Sequence, residues 1–176
     1  NGDLFGLRIS IDGDTLAVGV PYEDSNQTTI TNSDTASSDD SNSLAGAVYV
    51  YKRSGSTWAQ EAYIKAANND IDDSFGGYGV SIEGDTLAVG VPTEDSNQTT
   101  ITNGTGASSN NSNSNSGAVY VYKRSGSTWA QEAYIKAANN DAGDYFGYSV
   151  SIDNGSLAVS SSREYSNQTT ITNGTS

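Results

Sequence analysis

The sequence predicts an all-β protein built from tandem four-stranded antiparallel blades, as in a segment of a β-propeller, and three observations carry that prediction. Gly46 to Asp70 (GAVYVYKRSGSTWAQEAYIKAANND) recurs letter for letter as Gly117 to Asp141. A hairpin-like segment occurs three times, as FGLRISIDGDTLAVGVP from Phe5, FGGYGVSIEGDTLAVGVP from Phe75 and FGYSVSIDNGSLAV from Phe146. Apolar alternation of period two recurs, and nowhere does a helical period appear. The period of about 70 residues divides the chain into units at 1–74 and 75–145 and a partial third at 146–176. Both ends cut through a unit, which is the expectation for about two and a half blades of a longer repeat array.

Within a unit the elements follow in order. Leu7 to Ile11 and Thr15 to Val20 are short runs rich in Val, Ile and Leu around Asp12-Gly13-Asp14, a strand, a tight turn and a strand. The later copies turn at Glu83-Gly84-Asp85 and Asp153-Asn154-Gly155, where Asn-Gly takes positive φ most easily. The small residues in the first strand suit a crowded place near an axis. Pro21 and Pro92 cannot donate to a ladder and end the second strand.

Long loops follow at 22–44, 93–116 and 162–176, each carrying Ser-Asn-Gln-Thr-Thr-Ile-Thr-Asn. Loops of that length inside a compact repeat are functional or poorly ordered. Gln27 to Thr31 has strand-like composition, which suggests an extra short strand or a ladder with its equivalents in neighbouring units. Ala47 to Lys52 alternates Ala, Val, Tyr, Val and Tyr, a third strand. Ser54-Gly55-Ser56 turns it into a fourth, Trp58 to Lys65, whose strict alternation sets Trp58, Gln60, Ala62 and Ile64 against Ala59, Glu61, Tyr63 and Lys65.

Composition narrows the function classes. A net charge of −13, from 21 acidic and 8 basic residues, argues against a nucleic-acid backbone or an anionic membrane as partner. No apolar run reaches the length needed to span a bilayer. Cys, His and Met are absent, which removes thiol nucleophiles, disulfides, imidazole bases and the usual zinc and copper ligands. Ser and Thr therefore lack an activating base, and no pair of carboxylates is held at a set separation, so no catalytic residue is assigned.

Phe5-Gly6, Phe75-Gly76 and Phe146-Gly147, the Gly19-Val20-Pro21 and Gly90-Val91-Pro92 that end the second strands, and the Gly-Ala-Val-Tyr-Val-Tyr that opens the third together resemble the FG-GAP repeat of integrin α-subunit heads and of many bacterial surface and secreted proteins. The third unit carries Ser160-Ser161-Ser162 in place of Gly-x-Pro and is degenerate. The resemblance implies a propeller blade and an extracellular or cell-surface location. It implies no single function, because one blade serves adhesion, ligand binding and scaffolding. Calcium-binding members of the family carry a long Asp/Asn/Gly loop between the first two strands. Here that loop has shrunk to Asp12-Gly13-Asp14 and its equivalents, too short to supply six to eight oxygens.

Other residues remain as candidates. Glu23, Asp24, Glu94 and Asp95, just after Gly-Val-Pro, form a candidate calcium site with loop carbonyls, and equally a solvated acidic loop start. Calcium is the one cofactor these residues suggest. Asp70, Asp72 and Asp73, with Asp141 and Asp144, read as a second oxygen-rich cluster or as turn caps. Asn26, Asn97, Asn103, Asn110, Asn167 and Asn173 begin Asn-x-Ser/Thr triplets in the long loops, and Asn154 begins another in a turn, so the chain is a candidate glycoprotein. Tyr49, Tyr51, Tyr63, Tyr120, Tyr122 and Tyr134 read first as cross-strand and blade-to-blade packing and second as an aromatic binding face.

The leading expectation is a non-enzymatic extracellular structural or adhesive protein that assembles into a fibre or surface layer. Its partners are further copies of itself or further blades of the same chain, because end blades expose apolar faces and strand edges. The alternative is an integrin-like propeller head that recognises a cell-surface protein or glycan in a cation-dependent way.

Overall fold

The computed structural model describes residues 2–167 and 169–170. Eleven strands and no helix occur among them. The first sheet runs β1 (Arg8–Asp12), β2 (Thr15–Val20), β3 (Ala47–Ser54) and β4 (Thr57–Ile64), in that spatial order. The second contains β5 (Val80–Glu83), β6 (Thr86–Val91), β7 (Thr102–Asn103), β8 (Ala118–Ser125) and β9 (Thr128–Ile135), ordered β5-β6-β8-β9-β7. β10 (Phe146–Asp153) and β11 (Ser156–Ser161) form a two-stranded third sheet. Every ladder is antiparallel, and the first two sheets share one register: Gly19 faces Val48 as Gly90 faces Val119. Three blades in tandem, the third represented by its hairpin, are what the sequence predicts.

Two details differ from that reading. The fourth strand does not alternate strictly, because a β-bulge falls between the Val50–Ala62 and Tyr51–Gln60 pairs, and again between Val121–Ala133 and Tyr122–Gln131. A bulge sets two residues against one and re-aims a side chain. Trp58 and Gln60 thus share a face with Tyr49 and Tyr51, while Ala62 and Ile64 lie on the opposite face with Val48 and Val50. The second difference concerns the Gln-Thr-Thr-Ile-Thr segment, which pairs with the outer strand of its own blade rather than with neighbouring equivalents. Thr102 faces Tyr134 as β7, and Thr31 bridges Tyr63. The segment covers an edge strand that would otherwise present open backbone groups.

The core lies between sheets. Ala17, Val48, Val50, Ala62 and Ile64 of the first blade pack against Phe75, Leu87, Val89, Tyr120, Tyr122 and Trp129 of the second. A smaller cluster joins Ala88, Val119 and Val121 to Val150, Ile152 and Leu157 of the third. Each blade thus has a forward face of small and branched residues and a backward face of aromatics. Phe75 meets Tyr120 edge-on, with ring centroids 5.6 Å apart, so the tyrosines pack as expected.

The junction is built twice from the same atoms. Ser10 Oγ accepts from Ile82 N at 3.1 Å, and Ser81 Oγ accepts from Ile152 N at 3.0 Å. Phe75 N donates to Ala45 O and Phe146 N to Ser116 O, at 2.9 and 3.0 Å. The glycine of Gly-Val-Pro is demanded by this contact: a Cβ on Gly19 would stand 2.0 Å from Gly76 O, and one on Gly90 1.9 Å from Gly147 O. Ser160 occupies the corresponding place in the third unit, its Oγ accepting from Ser149 N at 3.0 Å.

Candidate functional site

The loops after the second strand and the segments after the fourth meet at the blade junctions, and the acidic residues just past Gly-Val-Pro sit there. In the second unit Lys136 Nζ donates to Glu94 Oε2 at 2.6 Å and to Ser116 Oγ at 2.9 Å. Glu94 also accepts from Ser96 N and Ser96 Oγ, both at 3.1 Å, and Ser96 Oγ shares a 2.6 Å hydrogen bond with Tyr134 Oη. Asn68, from the segment leading out of the first blade, donates to Glu94 Oε1 at 3.0 Å and accepts from the Tyr120 hydroxyl. One amide therefore ties the two blades through a buried ion pair.

The first unit repeats the pair, Lys65 Nζ to Glu23 Oε2 at 2.7 Å, with Ser25 and Tyr63 in the same roles. In the third, Asn139 Nδ2 donates to Glu164 Oε2 at 2.6 Å and Ser166 N to Oε1 at 2.7 Å, and these bonds hold the exposed Glu164 below its ordinary carboxylate value.

Burial governs the protonation of this node. Desolvation pushes Lys65 and Lys136 down, against the opposing pull of their glutamates. It pushes Tyr63 and Tyr134 well up. Asp73, buried beside it, is raised to about 9, first by desolvation and then by Glu94, Asp70 and Asp95. Its Oδ2 has no hydrogen-bond partner among the described residues, and burial without a partner favours the protonated carboxyl.

Lys136 and Glu94 are fully enclosed, so no substrate reaches the ammonium or the carboxylate. A buried pair of this kind holds a loop in register. The alternation in the sequence predicts Lys65, and its copy Lys136, as the last residue of the fourth strand. Lys65 and Lys136 instead lie one residue past β4 and β9 and turn inward.

The four candidate metal ligands thus have separate tasks. Glu23 and Glu94 are ion-pair partners. Asp24 Oδ1 accepts from Leu44 N at 2.7 Å and Asp95 Oδ1 from Asn115 N at 2.6 Å, closing the long loops. Among the described residues no group of three or more acidic side chains stands together as a metal site. Of the second cluster, Asp144 Oδ2 accepts from Asp141 N at 3.2 Å as a turn cap. Asn26, Asn97, Asn103, Asn110 and Asn167 are all exposed; Asn173 lies outside the described residues.

A second junction element went unnoticed in the sequence. Asn32, at the end of the Thr-Ile-Thr-Asn loop, reaches the next blade's outer strand: its Oδ1 accepts from Trp129 N at 2.7 Å and its Nδ2 donates to Trp129 O at 3.1 Å. The bulged Glu61 accepts from Trp129 Nε1 at 2.9 Å and pairs with Arg124 at 3.1 Å. Two side chains of one blade thereby clasp one tryptophan of the next by backbone and by ring. Residues 129–174 match the family model of the FG-GAP repeat.

That stretch is an FG-GAP repeat. It opens on the clasped Trp129 and runs through β10 and β11, so the FG-GAP frame straddles a blade junction rather than a single sheet. The repeat belongs to β-propellers, to a non-enzymatic family, and typically to extracellular proteins. No curated protein matches the chain. Among the described residues no helix is long and apolar enough to cross a membrane.

Proposed function

We propose that the chain is a non-enzymatic, extracellular structural or adhesive protein whose working surface is the face by which one FG-GAP repeat docks on the next. The observation that carries this reading is the junction itself, made twice with equivalent serines, glycines and Phe-Gly carbonyls. A surface used repeatedly within one chain suits further units of its own kind. The first blade displays such a surface uncovered: Phe5, Ile9, Ile11 and Trp58 are exposed beside Tyr49 and Tyr51. Exposed aromatics clustered in this way mark an interaction site.

Sedimentation velocity tests the reading. The chain is expected to self-associate at micromolar concentration, and Trp58→Lys to leave it monomeric. A wild-type chain that stays monomeric to about 1 mM, the weak end of specific affinity, overturns it.

A cation-dependent ligand-binding head is the second reading, favoured by Asp70 standing near Glu94 and Asp95 at the junction of the first two blades. Calcium titration checks it: binding raises the melting temperature, and no change at millimolar calcium removes both this reading and the Glu23, Asp24, Glu94 and Asp95 site.

A further inference from the structure

The node between the first two blades holds more than an ion pair needs. Glu94 divides its carboxylate between two nitrogens of different kinds: Oε2 accepts from Lys136 Nζ at 2.6 Å and Oε1 from Asn68 Nδ2 at 3.0 Å. Both nitrogens therefore flank one carboxylate. A second bond, from Nδ2 to Ser108 O at 2.9 Å, fixes the Asn68 amide, and its other end, Oδ1, accepts from the Tyr120 hydroxyl. Glu94 and Lys136 are fully buried and Asn68 almost so. Desolvation draws Lys136 toward the neutral amine, the form with a lone pair to give. An amine, an amide carbonyl polarised by a hydroxyl, and a carboxylate set to carry protons between their nitrogens are the parts of a transamidation. Among the described residues the trio is complete once. Lys65 meets Glu23 with no asparagine amide on that carboxylate, and Asn139 meets Glu164 with no lysine on it.

We infer that Lys136 and Asn68 join in an intramolecular isopeptide bond, formed by the folded chain itself with Glu94 as the proton carrier. Glu94 takes a proton from the Lys136 ammonium, the freed amine attacks Asn68 Cγ, and the Tyr120 hydroxyl stabilises the negative charge that gathers on Oδ1. The flexible lysine stem supplies the approach from Oε2 to Cγ. The Cγ–Nδ2 bond then breaks, and the nitrogen leaves as ammonia with a proton passed through Glu94. Of the three ammonium hydrogens, one stays on the new amide, one departs on the ammonia and one remains on Glu94, so no oxidant or co-reactant is consumed. Burial keeps water from taking the place of the amine, and holding the reactants in one geometry replaces a chance encounter. The bond would fasten the segment after β4 to the segment after β9. The whole second sheet then lies inside one covalent loop, whether or not the chain meets others of its kind.

The test is the intact mass of the folded 176-residue chain, produced in a bacterial host. The expected value is the sequence mass less one ammonia, with chymotryptic fragments 64–75 and 135–145 joined through Asn68 and Lys136. Lys136→Arg and Asn68→Ala should each restore the full mass, whereas Lys123→Arg, on an exposed lysine of the same blade, should keep the loss. Glu94→Gln, nearly isosteric, should carry the full mass while its circular dichroism stays that of the wild type. Succinimide formation at Asn103-Gly104 or Asn154-Gly155 also releases ammonia, but that loss would persist in Lys136→Arg. Full mass in the folded wild-type chain overturns the inference. So does a loss that persists in Lys136→Arg, a joined pair other than Asn68 and Lys136, or undiminished linkage in Glu94→Gln.

Discussion

Gly46–Asp70 and Gly117–Asp141 are one sequence in two positions, and the difference between them is an experiment the molecule performs on itself. Both copies form the same hairpin with the same bulge and the same register. Their burial differs: Trp58 is 41% exposed and Trp129 1%. On the opposite face the order reverses, with Glu61 half-buried against the next blade and Glu132 exposed. Local sequence therefore sets the strands, while the neighbouring blade decides what is core. Most of the aromatic surface is buried only when a second unit arrives, as expected for repeats that stack.

The comparison breaks most completely at the glycines. Gly90→Ala would place a Cβ 1.9 Å from a backbone carbonyl that cannot swing aside. About 5 kcal/mol of destabilisation is expected, at the upper end for a point change. Urea unfolding gives the magnitude. Hydrogen exchange should show the third hairpin loosened first in Gly90→Ala, and the first and second blades parted in Gly19→Ala.

As ion pairs alone, the two nodes should not distinguish the copies. Lys65→Met and Lys136→Met each strand a buried glutamate, Glu23 or Glu94, at a cost of about 4 kcal/mol. Urea midpoints that fall unequally would mean that the node depends on the junction rather than on its own unit. Tryptophan, by contrast, should distinguish them. Trp129→Ala removes a buried ring and its Glu61 bond for about 3 kcal/mol, whereas Trp58→Ala should cost about 1 kcal/mol or less. Equal losses in thermal melts would show that the first blade's aromatic face is covered in solution.

The last effect is one of pH. Asp73 is raised to about 9 in the folded state against an ordinary 3.8, among Glu94, Asp70 and Asp95, with Lys136 also near. A carboxyl raised on folding contributes stability below its unfolded value and loses that contribution as pH climbs toward 9. Asp73→Asn should therefore gain about 1–2 kcal/mol at pH 7 to 8, with the gain vanishing near pH 4. Melting temperatures across that window test the sign. A variant less stable at pH 8 than the wild type would mean that the carboxylate is charged in the fold.

Much of this fold is legible in one dimension. Period-two alternation, Asp-Gly turns and the two prolines mark β1 to β3 and their copies nearly to the residue. The fourth strand misleads because a bulge has no local signature: Trp58 to Lys65 alternates perfectly on paper, and only the pairing with Tyr51 shows that Glu61 is the extra residue. The site was harder still. Glu94 could be singled out as an acid after a proline, but its partner lies 42 positions on, and a lysine at a strand end looks solvated until packing encloses it. Asn32 and Trp129 are 97 apart. The one available hint was that Thr-Ile-Thr-Asn ends in the same residue in every unit.

Ser160 has a consequence for what the third sheet offers to a neighbour. At the two built junctions the matching position is a glycine because a carbonyl of the next blade lies where its Cβ would be. A serine there asks any surface that packs on the third sheet to stand back by the width of a Cβ, so the spacing used twice before is not repeated unchanged. The degenerate unit makes the third sheet unlike the first two: where they present bare backbone to the next blade, it presents a hydroxyl bonded within its own sheet.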